Sequence, residues 1–263
     1  MPRFSANIST MFREYAPLDR CRAAREAGFG CIEMQFPYDL DPDAFADAVR
    51  ENGLAVSVIN LPAGDFASGG EGTAAVPDRQ DEFRAGVALG LRYARLLRAG
   101  AVNVLAGSPS PERGREACLD VLCANLRHAA AAFAGIGVPV VVEAINDVDR
   151  PDFLLPRAAD VIAAIDRAGH ANLALQFDLY HVGMMGEPVV ETFKACRARI
   201  GHIQFADVPG RHEPGTGGLD FATAFSAIDA GGYRGWVAAE YTPSGRTEDG
   251  LGWFDPRAPA GGG

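Results

Sequence analysis

Lysine is nearly absent: Lys194 is the only one in a chain of 263 residues. It falls in a segment with helical spacing, which disfavours chemistry that needs an interior lysine to form a Schiff base. Cysteine is sparse and unpatterned. Cys21, Cys31, Cys118, Cys123 and Cys196 are odd in number and make no C-x-x-C pair, as expected of reduced, buried thiols. Positive charge is short as well. The formal net charge is −10 and the basic residues do not cluster. A nucleic-acid partner is therefore not expected, because its phosphates demand a positive footprint. No apolar run approaches the roughly 20 residues of a membrane span. The start, Met1-Pro2-Arg3-Phe4-Ser5, lacks the basic stretch and apolar run of a signal peptide. No membrane partner is expected, and the cytoplasm is the expected location. A homo-oligomer is compatible with the sequence.

Strand-like and helix-like segments alternate from end to end. Eight strands are predicted: Phe4–Ser9, Cys31–Gln35, Ala55–Leu61, Val102–Gly107, Val138–Ala144, Leu173–Asp178, Gly201–Ala206 and Trp236–Glu240. Runs such as Val138-Pro139-Val140-Val141-Val142 are apolar throughout, the pattern of parallel strands covered on both faces. Between them lie apolar stripes at helical spacing: Ala158, Val161, Ile162 and Ile165; Phe221, Ala224, Phe225 and Ile228; Val189, Phe193, Cys196 and Ile200. Asp41 suits a helix N-cap, Pro42 the first turn and Gly53 a left-handed stop. Gly28, Gly100, Gly137, Gly169 and Gly232 recur in the same place, before a returning strand.

This alternation predicts an α/β fold, a single-domain (β/α)8 TIM barrel over residues 1–257, with a disordered tail at 258–263. An open doubly wound sheet would usually show a Gly-rich first turn. The first strand leads into Thr10-Met11-Phe12 instead. Two long loops, Pro62–Pro77 and Val208–Leu219, are candidates for function.

In such barrels the active site lies at the C-terminal strand ends. There the predicted strands five to eight carry Glu143, Asp178, Gln204 and Glu240, spaced 35, 26 and 36 residues apart. One acid at a strand end is ordinarily a helix cap or a surface charge. Three carboxylates converging on one mouth repel one another unless protons or a cation intervene. Oxygen-only ligation suits Mg²⁺ or Mn²⁺ better than zinc or copper. His181 lies just beyond the sixth strand and Arg211 in the loop after the seventh; both are candidates for substrate contact, Arg211 with an anionic group. His202, two residues before Gln204, is expected to point inward one layer deeper. No Gly-rich turn follows strands seven or eight, so an unphosphorylated substrate is favoured.

The chain resembles the hydroxypyruvate isomerase family, which includes 2-oxo-tetronate isomerases, within the xylose isomerase-like TIM barrels. The resemblance rests on Phe36-Pro37-Tyr38, Asn60-Leu61-Pro62-Ala63-Gly64-Asp65, Gln176-Phe177-Asp178-Leu179-Tyr180-His181, Gly201-His202-Ile203-Gln204, the stretch from Ala206 to Gly217, and Gly250-Leu251-Gly252-Trp253. It implies one divalent metal on Glu143, Asp178, Gln204 and Glu240, with Glu143 and Glu240 also moving protons. It implies a small 2-oxo acid or sugar-acid substrate. Relatives commonly carry proline after the first glutamate, where this chain has Ala144. Related ketose epimerases place histidine where this chain has Gln204; a zinc endonuclease among the family's larger relatives needs many histidines for several zinc ions, and five, two of them on predicted helices or their ends, leave too few. An epimerase or isomerase of an unphosphorylated ketose, and a non-catalytic sugar-acid-binding barrel, remain alternatives.

Overall fold

Short apolar runs too brief for buried helices become strands here, and each is closed off before a helical stripe begins. The computed structural model describes residues 1–256; the tail expected at 258–263 lies outside them. The strands are β1 (Arg3–Asn7), β2 (Cys31–Met34), β3 (Ala55–Asn60), β4 (Ala101–Val104), β5 (Val140–Glu143), β6 (Leu173–Asp178), β7 (Ile200–Phe205) and β8 (Trp236–Ala239). All pair in parallel with their sequence neighbours, and β1 pairs with β8 through Arg3–Trp236 and Phe4–Val237, closing a barrel. Closure leaves no sheet edge unpaired.

The helices are α1 (Asp19–Glu26), α2 (Pro42–Glu51), α3 (Gln80–Leu97), α4 (Arg115–Ala134), α5 (Ala158–Ala168), α6 (Leu179–Met184), α7 (Val189–Cys196) and α8 (Phe221–Ala230). Lys194 sits on α7, outside the barrel. Asp41 caps α2 as expected, accepting from Ala44 N–H at 2.9 Å. Gly169 ends α5 at φ 66°, a left-handed residue that lets the chain turn into β6.

Three expectations need correction. The stop of α3 is Arg98 at φ 50°, not Gly100. Gly100 is small for another reason: a Cβ there would lie 3.0 Å from Ser57 O. The stripe Val189–Phe193–Cys196 ends at Cys196, because a 3-10 turn at Arg197–Arg199 intervenes and Ile200 already belongs to β7. Glu240 lies one residue past β8, although its N–H still reaches Phe205 O at 3.0 Å.

Side chains alternate along each strand. Phe4 of β1 and Phe205 of β7 face outward, where Trp253 from the final 3-10 turn meets them edge-on at 5.2 and 5.1 Å. The closing Gly250–Trp253 segment thus covers the seam between the first and last strands. The opposite faces carry Asn7, Glu33, Gln204 and their neighbours inward. All five cysteines are buried and free. Among the described residues, no helix is long and apolar enough to cross a membrane.

Candidate active site

Four strand ends deliver the expected carboxylates and amide to one mouth. Glu143 closes β5, Asp178 closes β6, Gln204 is the penultimate residue of β7 and Glu240 follows β8. All four are buried, at 5%, 2%, 2% and 3% exposure. Burial pushes the Glu143 carboxyl well up, and the charges of Glu240 and Asp178 push it further. Burial also raises Asp178, to about 7, against the pull of the Arg211 guanidinium. Glu240 is raised by burial too, again opposed by Arg211. Acids in this state are short of positive charge.

Hydrogen bonding repeats the point. Among the described residues, four buried side-chain polar atoms lack a partner, and three belong here: Asn103 Oδ1, Gln176 Oε1 and Asp178 Oδ2. All three are acceptors, so the site lacks donors. Arg211 supplies part of the deficit, donating from Nη2 to Glu240 Oε2 at 2.7 Å and standing 3.8 Å from Asp178 Oδ2. Arg211, the candidate for contact with an anionic substrate, lines the cavity mouth, with its guanidinium turned toward Glu240 and Asp178.

A second ring of polar residues holds the first. Glu240 Oε1 accepts from Asn7 Nδ2 at 2.8 Å and Gln35 Nε2 at 2.7 Å. Glu143 Oε2 accepts from Asn103 Nδ2 at 2.8 Å. Glu33 is fully buried and receives Gln204 Nε2 at 2.7 Å and Asn7 Nδ2 at 2.9 Å, while its Oε2 pairs with His202 Nε2 at 2.7 Å. His202 therefore points inward below Gln204, as its spacing predicts. Sequence reasoning passed over Glu33, Gln35, Asn7 and Asn103. The available signal was Glu33 and Gln35 two apart, on one face of an apolar strand.

His181, on α6, is buried, with Nε2 3.6 Å from both Glu143 Oε1 and Asp178 Oδ2. Its tautomer follows from Asn146. The Asn146 Oδ1 accepts from Val148 N–H and Asp149 N–H, so its Nδ2 faces His181 Nδ1 at 2.7 Å and donates to it. Nδ1 is then the acceptor, leaving Nε2 to carry the proton. Burial and Arg211 hold the imidazole neutral by pushing its pKa well down. In this form His181 offers an N–H to the space between the acids.

A cavity of about 330 Å³ opens above, lined by Glu143, Glu240, His181, Arg211, Gln35, Asn60, Asp149 and Arg150 among others, with Phe36, Phe66, Leu105 and Ile145 as apolar wall. A larger hollow of about 460 Å³ near Leu173 and Ile200 lies at the strand starts, away from these acids.

A divalent cation fits this constellation. Glu143 and Asp178, with His181, form a group whose candidate ligand atoms lie within 4.8 Å of one another, and since His181 Nε2 carries its proton the two carboxylates are the ligands in it. The unpartnered Asp178 Oδ2 is an acceptor without a donor. Gln204 commits its nitrogen to Glu33 and its Oε1 accepts from Gln176 Nε2 at 2.6 Å, which leaves that oxygen a second lone pair. Oxygen donors of this kind suit hard divalent ions.

Known proteins place the chain in a family. The xylose isomerase-like TIM barrel family model matches residues 21–257. The hydroxypyruvate isomerase of Escherichia coli (strain K12) is 40% identical over 256 residues, 97% of this chain and 99% of that protein. The 2-oxo-tetronate isomerase of Cupriavidus necator is 40% identical over 97% of this chain and 98% of its own length. This chain belongs to the hydroxypyruvate isomerase family of xylose isomerase-like TIM barrels. Family membership makes it an enzyme of the isomerase class. The crystal structure of AP endonuclease, family 2 from Brucella melitensis superposes with a TM-score of 0.93 at 39% identity, covering 98% of this chain and 99% of that one. A 3-keto-D-glucoside 4-epimerase from E. coli, 20% identical over 96% of this chain and 98% of its own, shares the fold with a TM-score of 0.79.

The family-like stretch from Ala206 to Gly217 has a physical role in this isomerase. Asp207 is buried and accepts four backbone N–H groups, from Val208 at 2.8 Å, Gly215 at 2.8 Å, Gly217 at 2.8 Å and Leu219 at 3.1 Å. Burial would raise its carboxyl, but those donors outweigh burial and leave it lowered. Gly217 fits because a Cβ would stand 2.1 Å from Val208 O. The loop clamps Arg211 at φ 53°, between Asp207 O and Thr242 N–H, and so aims it at the acids.

Proposed function

We propose that this isomerase interconverts a small 2-oxo acid and its semialdehyde or aldose-type isomer, with hydroxypyruvate and 2-oxo-tetronate as the substrate class. The observation that carries the reading is that Glu143 and Glu240 line one small cavity above a donor-poor cluster of buried acids. The substrate class comes from the relatives named hydroxypyruvate isomerase and 2-oxo-tetronate isomerase.

Glu143, Asp178, Gln204 and Glu240 would hold one divalent cation, Mg²⁺ or Mn²⁺. Its charge would stabilise the enediolate that forms when a carbon-bound proton leaves. Glu240 receives three donors, from Asn7, Gln35 and Arg211, which favour its ionised form. It takes the proton from the hydroxymethyl carbon. Glu143 has a single side-chain donor, Asn103, and lines the same cavity. It returns a proton to the adjacent carbon. The hydroxyl proton passes to the former carbonyl oxygen, so one C–H bond breaks and one forms in the substrate, and proton exchange with solvent restores ionised Glu240 and protonated Glu143 before the next turnover. The Nε2–H of His181 donates to a substrate oxygen.

The test is a screen of the Mg²⁺- or Mn²⁺-supplemented protein on hydroxypyruvate, 2-oxo-tetronate and neutral ketoses, followed by NMR in D2O. Metal-dependent turnover of a 2-oxo acid with solvent deuterium incorporated is expected. Turnover of ketoses alone would favour an epimerase. Absence of exchange with every candidate would mean a sugar-acid-binding barrel.

A further inference from the structure

The cavity holds two arginines, and they differ in what they face. Arg211 is matched to Glu240 and Asp178. Arg150, on the loop after β5, has no carboxylate partner among the described residues. Its Nη2 donates to the neutral carbonyls of Phe66 and Gly70, each at 2.8 Å. Its Nε reaches Ser108 Oγ at a long 3.4 Å. Its guanidinium carbon lies 4.1 Å above the Phe66 ring. Nη1 has no acceptor among the described residues. The nearby Asp149 carboxylate makes no ion pair with it among the described residues and takes both Asn146 Nδ2 at 3.1 Å and the Tyr180 hydroxyl at 2.6 Å on Oδ2. A half-buried guanidinium, held flat by a ring and two carbonyls and lining the same cavity as Glu143 and Glu240, is preorganised for an anion.

We propose that Arg150 is the residue that selects for a carboxylate in the substrate. This rests on the isomerase reading above. The substrate lies with its hydroxyl and carbonyl oxygens toward the acids and His181, and its carboxylate toward Arg150. The Pro62–Pro77 loop supplies Phe66 and Gly70, so it sets the guanidinium's orientation.

The experiment compares the Mg²⁺-loaded wild type with Arg150→Met and Arg150→Lys. Two ligands are used, hydroxypyruvate and dihydroxyacetone, in which a hydroxymethyl group replaces the carboxylate. Binding is read by calorimetry and turnover by steady-state kinetics. Losing a charge-assisted contact weakens an anion by roughly 10- to 100-fold. Arg150→Met should therefore raise the KM and the dissociation constant of hydroxypyruvate by about that factor. Dihydroxyacetone should move by less than about threefold, since it has no charge to lose. Arg150→Lys should fall between, and it carries the test should the methionine variant fail to fold. Equal weakening of both ligands would mean that Arg150 only ties loops together. No change in either, or no wild-type preference for hydroxypyruvate, would overturn the proposal as well. If the wild type binds hydroxypyruvate but converts no 2-oxo acid, the isomerase reading falls while calorimetry still judges Arg150.

Discussion

Gln204 Nε2 donates to Glu33 Oε1 at 2.7 Å inside the barrel, tying β7 to β2. That bond decides which way the amide faces. With the nitrogen committed to a buried carboxylate, the oxygen is the atom left for a cation. Glu33→Gln would let the amide turn. We expect metal affinity to fall by about 10- to 100-fold, the usual effect of removing an orienting partner. Calorimetric titration with Mn²⁺ measures it, and unchanged affinity in a folded variant would show that Glu33 orients nothing.

Glu240 accepts on both oxygens, from Asn7 and Gln35 on one and Arg211 on the other. Glu240→Gln removes the proposed base and must turn its NH2 toward one of those donors. A drop in kcat of about 10²- to 10⁴-fold is expected, the range for losing a positioned acid or base. Near-normal turnover with metal still bound would end the proton-transfer role.

Asp207→Ala strips four backbone N–H groups of their acceptor. These bonds are only part-buried, so water can reach the bared donors, and at a net of roughly 0.5–1.5 kcal/mol per lost bond a total loss of about 2–6 kcal/mol is expected. For a chain of this size each kcal/mol lowers Tm by roughly 2–4 °C. Activity should fall along with Tm, because the same loop aims Arg211. A variant with unaltered Tm would mean that the loop is held otherwise.

Without metal, the buried acids should make stability depend on pH. The Asp178 carboxyl is raised from 3.8 to about 7, chiefly by burial. Between those values the folded chain keeps a proton that the unfolded chain releases. The contribution is present below the unfolded pKa and is lost as pH rises through the folded one. Glu143 and Glu240 shift in the same direction. In EDTA, wild-type Tm should fall from about pH 4 to pH 7 more steeply than that of Asp178→Asn. Added Mg²⁺ should flatten the wild-type slope. Parallel slopes for the two proteins in EDTA would contradict this.

The barrel and the outline of its site were legible because their signals are local. An apolar run such as Val140–Val142 makes a two-faced buried strand wherever it lies, and Asp41-Pro42 starts a helix from its own side chain and ring. Glu143, Asp178 and Glu240 stood out because each is an acid beside such a run. Local signals also misplaced some details. Ile200 continued a helical stripe on paper, yet a 3-10 turn hands it to β7. Gly100 looked like the other helix stops, while Arg98 takes the left-handed conformation.

By itself the sequence determined the eight strands, the closed parallel architecture and the acids at the strand ends. Only the tertiary structure decided what those acids meet. Glu33 and Gln204 stand 171 residues apart, and Gln35 and Glu240 205. Their pairing depends on the register in which the barrel closes, which no local pattern records. The same holds for the two arginines. The sequence singles out Arg211 and passes over Arg150, and only the folded cavity matches the first to carboxylates and leaves the second facing carbonyls.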